Sequence, residues 1–256
     1  MPTSVIPIRN KYLCYYAAMR INKYLAEKQI ASRRQADVLI KAKRVLINGS
    51  VAKLGAEVGP NDKVTVKSDS KEIGRIYFAY NKPIGVLTHS AKGSDMDIAK
   101  MVRGRTEGAK VFPIGRLDKD SHGLIILTND GRITSKLLDP EEHHEKQYVV
   151  ETRDRVTTDF ATAMERGVVI KEEYSKVTYK TKPALVEILG AKKFSIIITE
   201  GKKRQVRRMV EALRNEVRDL ERVRIGSISL GKMEQNDLRR IRGKELERFL
   251  SELGIN

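Results

Sequence analysis

The chain has 256 residues, with 40% hydrophobic and 32% charged side chains, and its 50 Lys and Arg residues against 33 Asp and Glu residues give a formal net charge of +17. This composition excludes a disordered chain, and no apolar run approaches the roughly 18 residues that a transmembrane helix needs. We expect two soluble domains of unequal size, each with its own hydrophobic core.

The large positive charge favours a polyanionic partner, because a protein that neutralises phosphates releases their counterions. The basic residues are clustered, with five of them within residues 202–208, which is typical of a nucleic-acid-binding surface. The alternative is a generally basic cytosolic protein whose lysines only solvate its surface. The single cysteine, Cys14, cannot form an internal disulfide and so favours a reducing cytoplasm. One cysteine and four histidines give no basis for a zinc site.

Residues 1–18 show no clear periodicity, and no continuous apolar segment precedes a cleavage site, so we expect no secretory signal. We interpret this segment as a flexible N-terminal extension. The alternative is a true start at Met19.

Two short helices are predicted next. Ile21, Leu25 and Ile30 fall on one side of the first helix. Ser32 is interpreted as the N-cap of the second helix, and Gln35 would complete a capping box. Several basic side chains are expected to point to solvent from the second helix and the residues directly after it, namely Arg33, Arg34, Lys41, Lys43 and Arg44.

A β-hairpin is predicted at VLINGSV (45–51), because Asn-Gly between β-branched residues favours a two-residue turn. The segments RINKYL (20–25), SRRQAD (32–37) and VLINGSV resemble those of the S4 RNA-binding domain. The resemblance implies an S4-like module over residues 19–67 whose paired helices present the five basic residues named above to RNA. For each single side chain, the alternative is that it only solvates a helix face.

A polar linker is predicted over residues 68–75, ahead of a second domain over residues 76–254. In chain order we expect strand 76–80 with 85–88 as its returning partner, a short helix over 98–102, a buried strand over 124–127 and a helix over 132–138. The later strands are expected near 147–151, 177–180, 184–189, 194–199, 217–224 and 227–230, and the later helices over 157–166, 204–213 and 244–253.

Strands interleaved with helices, without a strict strand-helix repeat, indicate an α+β fold. We therefore expect a small N-terminal S4-like α/β module and a larger domain with a mixed, mainly antiparallel sheet and flanking helices.

A carboxylate lies in the segment GRLD (115–118), in a loop ahead of the buried strand. The neighbouring cations of Arg116 and Lys119 should keep Asp118 ionised. An ionised carboxylate can act as a nucleophile or a general base without metal. By itself the tetrapeptide is better explained by a loop Asp that caps a turn or pairs with Arg116. A glycosidase or nuclease that uses Asp118 with Asp120 is a weaker alternative, because two residues on one loop need not converge.

Three motifs in order resemble those of the pseudouridine synthases that modify ribosomal RNA: GRLDKDSHGLIILTNDG (115–131), EKQY (145–148) and GKKRQVRRM (201–209). The segment LERVRIG (220–226) is similar to the strand that closes the pocket in that family. The resemblance covers residues 19 to about 250, and its wording is closest to the F type of the large-subunit enzymes, in the group that also includes the small-subunit enzyme A.

The resemblance implies the roles of the site residues. Asp118 would attack the sugar C1′ or the uracil ring, or would remove a ribose proton. Tyr148 would stack on the uracil, and Arg207 would pair with Asp118 and orient it. Leu220 would form an apolar wall, while Arg116 or His122 could fill the space that a flipped base leaves. The expected phosphate contacts are Lys82, Lys202, Lys203, Arg204 and Arg208.

Conversion of uridine to pseudouridine changes neither the oxidation state nor the atom count, so no cofactor is expected. The expected partner is ribosomal RNA of the large subunit, with transfer RNA or an assembly intermediate left open. We also expect a cytoplasmic monomer. The alternative function is a non-catalytic S4-type protein that binds RNA during ribosome assembly. A mere binder, however, has no need for an acidic residue in a positive surface.

Overall fold

The computed structural model describes residues 18–28, 30, 31, 33–67, 74–89, 96–139, 141–171 and 177–255. These residues form two compact units, divided between residues 72 and 73. Residues 1–17, the predicted cap Ser32 and residues 68–73 of the predicted linker lie outside the described residues. The statements about them therefore stay predictions.

The first unit packs two helices, α1 (Ile21–Glu27) and α2 (Arg33–Lys41), with five short strands. Ile21, Leu25 and Ile40 are buried in its core, whereas Ile30 is 41% exposed because α1 ends at Glu27. The prediction that Ile30 shares the buried side is therefore wrong. The strands are β1 (Met19–Arg20), β2 (Val45–Ile47), β3 (Ser50–Val51), β4 (Glu57–Val58) and β5 (Val64–Val66).

The predicted hairpin is confirmed as the antiparallel pair β2–β3. Its turn residues Asn48 and Gly49 both have positive φ, at 51° and 81°, as a two-residue turn of this type requires. Strand β5 pairs with the other edge of β2, which gives a three-stranded sheet in the order β3-β2-β5. Strands β1 and β4 form a separate antiparallel pair.

The second unit contains the larger sheet and five helices among the described residues. The helices are α3 (Ile98–Met101), α4 (Arg132–Leu138), α5 (Thr158–Glu165), α6 (Gln205–Ala212) and α7 (Gly243–Glu252). The strands are β6 (Tyr77–Lys82), β7 (Phe112–Ile114), β8 (His122–Thr128), β9 (Lys146–Thr152), β10 (Val169–Lys171), β11 (Thr178–Lys180), β12 (Leu185–Gly190), β13 (Lys193–Ile198), β14 (Val217–Ile225), β15 (Ile228–Ser229) and β16 (Leu238–Arg240).

Nine of these strands form one mixed sheet with the order β12-β13-β9-β14-β8-β6-β16, to which β15 and β7 add at β14 and β8. Only β8 and β14 pair in parallel, and the other strand pairs of this sheet are antiparallel. The predicted fold class is thereby confirmed.

The strand over residues 122–128 is buried on both faces, which explains its uninterrupted apolar sequence. Leu124 and Ile126 pack with α4 and α7 residues, whereas Ile125 and Leu127 pack in the cluster that contains Ile98 of α3. A third core, on the β9 and β13 side of the sheet, includes buried residues of α5 and α6. This third core supports the strands that carry Tyr148 and Leu220.

Gly123 sets the contact between β8 and β14. Its φ is +106°, and a Cβ there would lie 2.4 Å from the backbone oxygen of Arg222. Only glycine therefore allows the two central strands to approach as they do.

Four segments of the second unit differ from the predictions. Residues 85–88 do not form a returning strand, because both edges of β6 are already occupied by β8 and β16. Strands β7, β10 and β16 were not predicted, since their three-residue segments carry little alternation. None of the helices in the described part of the chain has both the length and the apolar character that a membrane crossing requires.

Candidate active site

A cleft of about 490 Å³ opens in the second unit, between the central strands and two loops. Strands β9 and β14 supply Tyr148 and Leu220, and the loop ahead of β8 supplies Asp118. The loop between β13 and α6 forms the facing wall with residues 199–204. The structure therefore places all three predicted motifs around one cavity.

Hydrogen bonds hold the loop that carries Asp118. The Thr88 hydroxyl donates to the carbonyl of Leu117 at 2.7 Å and accepts from the Leu117 amide at 3.0 Å. The amide of Ser121 donates to the carbonyl of Asp118 at 3.1 Å. The Asp118 side chain itself is 31% exposed, so the loop backbone is held in place while the carboxylate remains open to a substrate.

Arg204 forms an ion pair with this carboxylate. Its Nη1 lies 3.9 Å from Oδ2 of Asp118, and its two terminal nitrogens donate to both Asp120 oxygens at 3.0 and 2.9 Å. Arg204 adopts a left-handed backbone conformation, with φ 52°, at the N-cap of α6, which costs a non-glycine residue about 1–2 kcal/mol. Such strain is characteristic of functional sites.

The pairing predicted for Arg207 is wrong. Arg207 is buried, and its Nη2 donates to the carbonyl of Asp120 at 2.7 Å and to the Ser121 hydroxyl at 3.0 Å. Its ion pair is with the Asp120 carboxylate, 3.5 Å from Nε. Arg207 thus holds the loop that carries Asp118, because its guanidinium can donate to several acceptors at once.

Asp120 forms ion pairs with both of these arginines. Burial alone would raise the pKa of its carboxyl, but the hydrogen bonds and charges of Arg204 and Arg207 outweigh that effect and hold the pKa below its usual value. An ionised Asp120 held by two guanidinium groups does not suit the acid of a carboxylate pair. The glycosidase or nuclease alternative is therefore not supported.

Tyr148 and Leu220 form the apolar part of the cleft. Tyr148 is 8% exposed on β9, and Leu220 is 4% exposed on the neighbouring β14. Tyr148 lies opposite Arg222 in the strand register, and Leu220 lies opposite Val150. A flat ring beside an aliphatic wall is suited to packing a planar base.

Two cations in the cleft were not singled out from the sequence. Lys146 and Arg222 both line the cavity next to Tyr148. Burial, and to a smaller extent the charge of Arg222, lower the pKa of Lys146 to about 8. The two-residue period of a β-strand could have predicted both positions. Lys146 shares one face of β9 with Tyr148, and Arg222 shares one face of β14 with Leu220.

Arg116 and His122, the two predicted base-replacing residues, occupy different places. Arg116 is exposed and lines the cleft. His122 is buried on β8, outside the cleft lining, and its Nε2 lies 2.9 Å from Oδ1 of Asp219. Of the two, only Arg116 is placed to meet a substrate.

The prediction that Lys82 contacts a phosphate is wrong. Its side chain is completely buried, and Nζ donates to the carbonyls of Pro83 and Val86 at 3.0 and 2.9 Å. Burial lowers the pKa of Lys82 to about 8, against the opposing attraction of Asp118. Lys82 braces the turn that follows β6, and the Gly85 amide ties this turn to the carbonyl of Lys119 at 2.8 Å.

The other predicted phosphate contacts differ in availability. Lys202 and Lys203 are exposed and line the cleft. Arg204 is engaged with Asp120 as described. Arg208 is partly buried and donates to the carbonyl of Lys171 at 2.7 Å, so its guanidinium secures the backbone near α6.

In the first unit, most of the predicted RNA contacts lie on the surface. Arg33, Arg34, Lys41 and Lys43 are exposed on α2 and directly after it. Arg44 is partly buried, and its Nε donates to the carbonyl of Lys67 at 2.9 Å. Over the described residues of both units, no three His, Cys, Asp or Glu side chains form a group that could hold a metal ion.

Comparison with known proteins gives consistent matches. A family model described as RNA pseudouridylate synthase matches residues 76–212, and an S4 domain model matches residues 19–64. The dual-specificity RNA pseudouridine synthase RluF of Escherichia coli is 38% identical over 90% of this chain and 78% of the relative. The uncharacterized RNA pseudouridine synthase YtzG of Bacillus subtilis is 36% identical over 83% of this chain and 90% of the relative. A crystal structure of a pseudouridylate synthase matches with a TM-score of 0.66 and 31% identity, covering 90% of this chain and 99% of that chain. Both resemblances drawn from the motifs are confirmed.

Proposed function

The chain belongs to the RNA pseudouridylate synthase family and is an RNA pseudouridine synthase with an S4 domain, and from this premise we propose that it isomerises a specific uridine of large-subunit ribosomal RNA. The single observation that carries the assignment of the site is the cleft in which Asp118 faces Tyr148 and Leu220. The alternative of a non-catalytic assembly protein is not favoured.

The reaction breaks the bond between N1 of uracil and C1′ of the ribose, turns the base and joins C1′ to C5. The hydrogen on C5 leaves as a proton, and N1 gains one, so the nucleotide is isomerised without an oxidant or a reductant. Asp118 is the carboxylate that starts this sequence. It attacks C1′, attacks the uracil ring or removes a ribose proton, and each of these first steps begins from the same ionised carboxylate beside Arg204.

The target nucleotide must leave its stack, because a carboxylate cannot reach C1′ or the far side of a stacked base. In the cleft the extruded uracil packs between the Tyr148 ring and the Leu220 side chain. The exposed guanidinium of Arg116, two residues before Asp118, fills the space that the base vacates. Arg207 is a positioning residue, since it acts through Asp120 and Ser121.

Phosphate contacts come from two surfaces, each described within its own unit. Lys202 and Lys203 line the cleft rim, and the exposed cations of α2 serve the S4 domain. Phosphate contacts fix the register of the RNA and carry no sequence information themselves. We place the enzyme in the cytoplasm, where its RNA is made. We expect it to act as a monomer.

Tritium release tests the substrate class. RNA labelled with tritium at C5 of uridine must lose the label when the new carbon–carbon bond forms. The enzyme should release label from large-subunit ribosomal RNA at a single site and not from small-subunit RNA. Because the Escherichia coli relative is called a dual-specificity enzyme, transfer RNA is the third substrate in the comparison. Release from small-subunit RNA alone would overturn the large-subunit assignment.

A further inference from the structure

Arg222 is a buried cation that has no carboxylate partner among the described residues. It is 4% exposed, its Nε donates to the carbonyl of Leu124 at 2.7 Å, and its Nη1 lies 3.3 Å from the carbonyl of Arg116. Its Nη2 is buried with no acceptor, and no carboxylate of the described residues forms an ion pair with it. A buried charge with an unpaired donor is destabilising. A ligand or transition state that supplies negative charge would pair with this donor and offset that destabilisation.

Lys146 adds a second cation to the same place. Its Nζ donates to the carbonyl of His144 at 3.0 Å, and among the described residues it has no carboxylate partner within 4.0 Å. Both side chains line the cleft, and Arg222 lies opposite Tyr148 in the register of β14 and β9. The two charges therefore flank the ring against which the uracil would pack.

Every first step open to Asp118 places negative charge on the uracil. If the carboxylate attacks C1′ or removes a ribose proton, the electron pair of the N1–C1′ bond leaves with the base, and the charge spreads over N1, O2 and O4. If the carboxylate adds to the uracil ring, the electron pair of the ring double bond moves toward O4. In each case C5 later bonds to C1′, and the C5 hydrogen departs as a proton.

We propose that Arg222, with Lys146, stabilises the negative charge that develops on the uracil during its detachment. The assignment rests on the proposed function, since it takes the cleft as the uridine site. Fixed cations in a water-excluded site are effective because they need no reorganisation when the charge appears. In this proposal the uracil of the bound RNA supplies the acceptor for Nη2 of Arg222.

The test compares two bases at the target position under single-turnover conditions with saturating RNA. Fluorine at C5 withdraws electrons and stabilises a uracil anion by itself. We expect Arg222→Met to slow the loss of uridine by about 10²- to 10³-fold, with RNA affinity within about threefold of wild type. The slowing should be at least tenfold smaller for the loss of 5-fluorouridine, and Arg222→Lys should restore part of the rate.

Arg224→Met is the matched control, because Arg224 lies on the same strand and donates to Gln147 and Glu145. It should leave both rates within about threefold of wild type. Lys146→Met provides a second variant if Arg222→Met does not fold, and it should show the same difference between the two bases.

Equal slowing on both bases, or no slowing in either Arg222→Met or Lys146→Met, would overturn the proposal. A wild-type enzyme that leaves uridine intact in every RNA would instead contradict the proposed function. The two failures are therefore distinguishable.

Discussion

The guanidinium of Arg204 lies 3.9 Å from the carboxylate of Asp118 while its two terminal nitrogens bind Asp120. This arrangement sets an ionised carboxylate at the mouth of a cleft and fixes the loop that carries it. It also assigns Arg204 to the site rather than to the RNA backbone.

Loss of Arg207 should weaken the fold more than loss of an exposed arginine. Arg207→Ala leaves the carbonyl of Asp120 and the hydroxyl of Ser121 without their donor, which costs about 1–3 kcal/mol of unfolding free energy. Arg218→Ala is the control, because the ion pair that Arg218 forms with Glu216 is an exposed contact at 4.0 Å. Urea denaturation measures both values, and equal losses would contradict the structural role of Arg207.

Lys82 should make stability depend on pH in the alkaline range. Its pKa falls from 10.5 to about 8 on folding because of burial, so between pH 8 and 10.5 the unfolded chain binds more protons than the folded chain. The free energy of unfolding should rise with pH over this window, by up to about 3 kcal/mol from this one group. Lys82→Met should remove the contribution of Lys82 and leave that of Lys146, whose pKa burial also lowers to about 8, whereas the exposed Lys110→Met should keep the whole rise. Identical pH slopes in wild type and Lys82→Met would rule the effect out.

The basic face of α2 should control RNA affinity. Arg33 and Arg34 are exposed, and each phosphate contact contributes about 0.9 to the salt dependence of binding. The double variant Arg33→Gln, Arg34→Gln should bind RNA more weakly and lower the slope of log affinity against log salt by about 2. Its rate at saturating RNA should not change. Lys23→Gln, which removes a cation paired with Glu27, is the control, and a double variant with an unaltered slope would exclude these two contacts.

Gly123 should not tolerate a side chain. In Gly123→Ala the new Cβ would meet the backbone of Arg222 at 2.4 Å, which forces β8 and β14 apart and should cost at least about 3 kcal/mol. Gly104→Ala is the matched control, since Gly104 also has a positive φ of 77° but nothing within 4 Å, and it should cost about 1 kcal/mol. Thermal unfolding measures both losses. A larger loss in Gly123→Ala supports the steric contact, and equal losses would indicate backbone strain alone.

Local patterns predicted most of the fold. The Asn-Gly pair at residues 48 and 49 predicted its hairpin, and the helix over residues 132–138 was predicted with the bounds that the structure shows. Long-range pairing was harder to predict, because periodicity identifies a strand but not its neighbour. Residues 85–88 illustrate this limit, since the edges of β6 go to β8 and β16.

The candidate site shows the same division. Its motifs predicted that Asp118, Tyr148 and Leu220 share a cleft, and the structure brings them together. The burial of Lys82 and the partner of His122 depend on residues distant in the chain. Arg222 could have been identified from its position two residues after Leu220 on one strand, but only the structure shows that its Nη2 has no acceptor among the described residues.

The most direct test of the account is tritium release from C5-labelled ribosomal RNA by wild type and by Asp118→Asn. The substitution keeps the size of the side chain and removes the charge that faces Arg204. We expect wild type to release the label and Asp118→Asn to be slower by at least about 10²- to 10⁴-fold, with RNA affinity and unfolding free energy close to wild type. Release at the wild-type rate by Asp118→Asn would contradict the assignment of this cleft as the active site.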